Sequence, residues 1–104
     1  MNQKAVFVKI KDIELDILSG AELTDDQVDF LFSCLVGDGS REVYVAALLI
    51  LSEAELPIVQ RLMDSFDQFS VEVRHLLLSF LATTDFVECY VFLLSVVKRY
   101  RFEE

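Results

Sequence analysis

The run VYVAALLIL, Val43 to Leu51, is apolar on every side of any helix it forms, and this feature restricts the chain more than any other. A helix with one polar face can lie on a surface. A helix apolar all round has to be enclosed by its neighbours. The run is also far short of the roughly 20 apolar residues that a membrane-crossing helix takes. Read as an interior helix, it requires the rest of the 104 residues to supply segments that wrap it.

Helical spacing supplies them. Val6, Ile10, Ile13 and Ile17 recur at steps of four, three and four, and Gly20 follows as a left-handed C-cap. Thr24 with Gln27 makes a capping box before the stripe Val28, Leu31, Phe32 and Leu35, which Gly37-Asp38-Gly39 ends. Ser40 caps the central run. Pro57 suits a first helical turn, so a fourth helix starts near Glu55 and carries Ile58, Leu62, Phe66 and Phe69. Ser70 caps a fifth, with Val73, Leu76, Leu77 and Phe80 facing inward. Asp85 with Glu88 is read as the cap of a sixth, whose buried stripe is Val87, Tyr90, Val91, Leu94 and Val97. The β-branched stretch KAVFVKIKDI at the start also admits a strand.

A shift of 30 residues lays Ser40, Glu42, Val43, Leu48 and Leu51 on Ser70, Glu72, Val73, Leu78 and Leu81. The same shift places Glu55 on Asp85. A recurring unit of two helices that cannot bury its own face needs a neighbouring unit. The fold expected is all-α: a single domain over residues 1–104, with about six amphipathic helices in a short HEAT-like stack of hairpins.

The charge balance bounds the partners. Eighteen Asp and Glu stand against nine Lys and Arg, a formal charge of -9. Binding to nucleic acid or to anionic lipid relies on Lys and Arg meeting phosphate, so neither is expected here. Between Asp12 and Val73 the acids number fourteen and the bases are Arg41 and Arg61 alone. Lys4, Lys9 and Lys11 lie before that stretch, and Lys98, Arg99 and Arg101 after it. A field of this sign speeds encounter with a basic protein. With 54% apolar residues, some apolar surface also remains for a partner or for a homodimer.

Little in the sequence points to catalysis. It holds no Gly-rich phosphate loop, no GxSxG and no HExxH. Cys34 and Cys89 sit singly in apolar segments and read as buried, reduced thiols. The one imidazole, His75, falls mid-helix with no adjacent nucleophile. Asp12, Glu14 and Asp16 alternate, yet the run lacks the Gly and final Glu of a calcium loop. Neither enzyme activity nor a metal or other cofactor is expected. The N-terminus shows no secretory h-region, which points to the cytoplasm.

What the sequence offers instead is a surface. In stacked hairpins the second helix of each pair lines one face, and these helices carry Asp25, Asp26 and Asp29, then Glu55, Asp64 and Asp67, then Asp85 and Glu88. Phe30 and Tyr44, together with Tyr90, are the aromatic anchors expected within such a patch. Arg41 and Arg61 lie in the same region and can pair with its acids.

Small size, acidity, the all-helical pattern and the 30-residue HEAT-like period together resemble the immunity proteins of bacterial polymorphic-toxin and contact-dependent growth inhibition systems. The resemblance implies a cytoplasmic inhibitor that binds one cognate toxin domain, often a basic nuclease, and covers its active site. The expectation from a different class is a HEAT-like adaptor or scaffold that self-associates through apolar surface.

Overall fold

The structure, a computed structural model, describes residues 2–37 and 39–103 and, within these, the side chains up to Arg99. Asp38 and the side chain of Arg101 lie outside the described residues. The described residues form six α-helices in order: α1 (Gln3–Leu18), α2 (Asp25–Val36), α3 (Arg41–Ser52), α4 (Leu56–Asp64), α5 (Val71–Leu81) and α6 (Val87–Glu103). A 3-10 turn, Phe66–Gln68, separates α4 from α5. No strand occurs among the described residues, and KAVFVKIKDI lies within α1.

Local chemistry sets most of these boundaries. Gly20 holds φ +100, and its N–H donates to Ile17 O while that of Ala21 reaches back to Asp16 O, so the last carbonyls of α1 are satisfied. Thr24 and Gln27 exchange both capping-box hydrogen bonds, at 3.1 and 3.0 Å. Ser40 and Ser70, which coincide under the 30-residue shift, cap α3 and α5 in the same way. Each hydroxyl accepts from a backbone N–H three residues on, at 3.3 Å. Pro57 stands in the first turn of α4, where its missing N–H costs nothing.

The central run behaves as its composition demands. α3 packs against α1, α2, α4 and α5, and Ala47, Leu48 and Leu51 are wholly enclosed. α1, α3 and α5 lie side by side as one layer, with α2, α4 and α6 as their hairpin partners. Among the described residues, three ion pairs join successive hairpins: Arg61 to Asp29 (2.9 Å), Arg99 to Asp67 (3.0 Å) and Arg41 to Glu72 (3.9 Å). The stripes expected on α2 and α5 face inward, with Val28, Leu31, Phe32, Leu35, Val73 and Leu77 in the core.

Three local expectations are corrected. α4 stops at Asp64, and Phe66 and Phe69 enter the core from the 3-10 turn and the residue that follows it. Arg74 anchors that turn: its Nε and Nη2 donate to the carbonyls of Phe66 and Asp67, at 3.2 and 2.9 Å, and Phe66 O also accepts from Phe69 N–H. α6 begins at Val87, one residue later than an Asp85 cap would start it. Its buried face is not the expected one. Cys89 and Val96 are buried and Phe92 and Leu93 half-buried, with Phe92 edge-on to Phe66 at 5.4 Å between ring centroids. Val87, Tyr90, Val91, Leu94 and Val97 face outward. α6 carries two apolar stripes, and the aromatic contact selects the shorter one for the core.

Candidate functional site

The acids expected to form a row along α2, α4 and α6 are all exposed, but they fall into two groups. Asp29 and Asp67 are held in the inter-hairpin ion pairs, and Asp64 accepts from Gln60 Nε2 at 3.0 Å. Arg61 thereby removes Asp29 from any row, as its position among the acids allowed. Asp25 and Asp26 stand in the first turn of α2, where the helix dipole favours them. Glu55, Asp85 and Glu88 are exposed at the starts of α4 and α6, with no ion pair among the described residues.

The aromatic candidates separate similarly. Tyr44 is buried and serves the α2–α3 connection. Its hydroxyl donates to Gly37 O at 3.0 Å and accepts from Gly39 N–H at 2.9 Å, which leaves it no surface role. Gly39 passes so close that an added Cβ would meet the Tyr44 ring at 3.0 Å. Phe30 is half-buried, with the Lys9 ammonium 4.1 Å above its ring. Tyr90 is open to solvent on α6.

Two adjoining clefts run along the edge where the hairpins turn. The larger, about 600 Å³, lies between the α3–α4 and α5–α6 turns and has Leu49, Phe80 and Phe86 as apolar walls with Glu53 and Asp85 at its sides. The other, about 390 Å³, lies between the α1–α2 and α3–α4 turns. It is walled by Ile17, Leu23, Ile50 and Ile58 and carries Glu14, Glu22, Glu53 and Glu55. Leu49, Glu53 and Ala54 belong to both, so the clefts form one continuous edge. No Lys, Arg or His lines either cleft among the described residues. Beside the lining, Lys11 Nζ sits 3.3 Å from Glu14 Oε2 and pairs that carboxylate.

This arrangement joins Glu55 and Asp85 from the expected row with Glu14, Glu22 and Glu53, which lay outside that row. Extending the 30-residue shift one unit toward the N-terminus puts Asp25 in register with Glu55 and Asp85, so an acid stands at or within two residues before the start of each second helix. That register marks the hairpin turns as the acidic edge. Glu14 gives no such signal, because it reaches the cleft from the inner layer.

An apolar floor ringed by carboxylates can seat a side chain that is both long and cationic. Lys and Arg present an apolar stem below a charged head, so floor and rim can each find a counterpart. Elsewhere, burial pushes the Cys34 thiol up from its ordinary 9.0, against smaller opposing effects of Ser33 and Lys9. It therefore stays protonated at neutral pH. Cys89 is buried and His75 lies exposed on α5. No helix among the described residues is long and apolar enough to cross a membrane. Compared with protein-family models, with curated proteins and with solved structures, the chain gives no match.

Proposed function

We propose that this chain is a protein-binding inhibitor of the immunity type, which neutralises a cationic toxin domain, with a nuclease the best fit, by laying its acidic turn edge over the toxin's active site. The observation that carries this reading is the continuous cleft edge, where Glu22, Glu53, Glu55 and Asp85 stand around apolar walls without a lining base, beside Glu14, which Lys11 pairs. A nuclease groove holds Lys and Arg to bind phosphate. Carboxylates at similar spacing compete for those groups, and the apolar walls slow dissociation once the water between the surfaces is expelled. The role is one of binding in the cytoplasm, without turnover, cofactor or direct contact with nucleic acid.

The test is co-purification from the native source together with protection against the product of the adjacent gene. A stoichiometric cationic partner, released by salt and by Glu53→Lys with Glu55→Lys, supports the reading. Absence of any such partner, or binding untouched by both reversals, overturns it. The adaptor reading, with self-association through apolar surface, is favoured by a separate observation on α6.

A further inference from the structure

α6 is apolar on two opposite faces, yet only one of them is covered. Val87, Tyr90, Val91, Leu94 and Val97 are 43–71% exposed and follow one another at helical steps of three and four along a single side. The bare stripe amounts to on the order of 500 Å², at the upper end of what monomers commonly leave open in one patch. The outer face of α1 is less continuous: Val8, Leu15 and Leu18 are exposed, but Lys11 and Asp12 fall between them.

The charges beside the α6 stripe state what covers it. Glu88 flanks its beginning and Lys98 its end, both on the same side of the stripe, and neither makes an ion pair within the chain among the described residues. We propose that the outer face of α6 docks antiparallel on α6 of a second copy of this chain, about a two-fold axis near Phe92 and Leu93. In that register Val87 meets Val97 and Tyr90 meets Leu94 of the other copy, and each Glu88 lies beside the opposite Lys98. A parallel pairing sets Glu88 against Glu88 and Lys98 against Lys98, which disfavours it. An antiparallel two-fold contact closes on itself, whereas joining the α6 face to the α1 face of the next copy builds an open filament. Two stripes together bury about 1,000 Å², the lower limit for a specific interface, so the dimer is a weak and concentration-dependent one. This pairing uses none of the turn-edge clefts and stands independently of the inhibitor reading.

Sedimentation of the full chain across micromolar concentrations tests it. The expected mass rises from 11.9 kDa toward twice that value. Leu94→Glu and, separately, Tyr90→Lys abolish the rise while leaving the helical circular dichroism unchanged, because both side chains are already in solvent. Glu88→Lys alone and Lys98→Glu alone each weaken the dimer by about tenfold, and the double exchange restores it. A monomer at every concentration overturns the proposal. So does a dimer that ignores Leu94→Glu, an assembly abolished by Leu15→Glu instead, or failure of the double exchange to restore pairing. Neutral phosphatidylcholine vesicles distinguish a membrane surface: binding to them by a chain that stays monomeric in solution also overturns it.

Discussion

Arg61 on α4 donates from Nη1 to Asp29 Oδ1 on α2 at 2.9 Å and lays its guanidinium 4.1 Å above the ring of Phe32. The same step of 32 residues recurs where Arg99 on α6 meets Asp67 at 3.0 Å. One arginine per junction thus joins each second helix to the unit before it, and each takes an exposed acid out of the field offered to a partner. Exposed ion pairs contribute little alone, but a guanidinium that also covers a ring adds to them. Arg61→Ala is expected to lower stability by about 1 kcal/mol, read by urea unfolding. A loss indistinguishable from zero would show that this bridge does not hold α2 on α4.

The interior of α3 sets a larger scale. Leu51 is fully enclosed, whereas its neighbour Leu49 is 37% exposed and lines both clefts. Leu51→Ala removes fully buried methyl groups from the central helix and leaves a cavity, for an expected cost of about 2–5 kcal/mol. Leu49→Ala should cost about 1 kcal/mol or less, since much of its side chain already faces water. Thermal or urea unfolding of the two variants separates these cases, and similar losses would contradict the enclosure of α3.

Much of this architecture is written in short stretches of the sequence. Thr24 with Gln27, Ser40, Ser70 and Gly20 act within a few residues of themselves, so their sequence neighbours suffice to place the helix ends. VYVAALLIL left no choice of face, and the central place of α3 follows. α6 offered two choices. Both of its stripes are apolar, and which one turns inward depends on the meeting of Phe92 with Phe66, a contact across 26 positions that no local pattern encodes. The turn after α4 escaped for a related reason: Arg74, from the following helix, holds the carbonyls of Phe66 and Asp67 there. Among the site residues, Glu55 and Asp85 were legible from the repeat register. Asp29 and Tyr44 resolve only in three dimensions, where Arg61 and the Gly37 and Gly39 backbone engage them.

The Cys34 thiol gives a pH dependence of definite sign. Burial raises it above 9.0 in the folded chain, so below that value both the folded and the unfolded thiol are protonated and the group contributes no slope. As pH rises through 9.0, the unfolded thiol ionises first and its share of the stability falls, until the folded thiol also ionises. Cys34→Ala should therefore flatten the loss of stability in this alkaline window relative to the parent chain. Slow alkylation of the native chain near pH 8, speeded by urea, gives an independent reading. Equal rates with and without urea would show a thiol open to solvent.

The division of the acids into engaged and open groups makes the sharpest binding prediction. Asp29 and Asp67 already face guanidinium groups, so Asp29→Asn and Asp67→Asn should change association with a cationic partner less than about twofold, even where they lower stability. Glu53 stands at both clefts, with Glu55 and Asp85 on either side of it along the edge. Reversal of any of these to Lys puts a like charge into a partner's path. The expected result is at least about a tenfold loss of affinity, carried largely by slower association. Raising the salt should shrink that difference, because exposed charges are screened beyond about 10 Å at 0.1 M. Association rates of the five variants at low and moderate salt decide the matter. Equal effects of the Asn and Lys variants would mean that the partner reads total charge, and the turn edge would lose its special place.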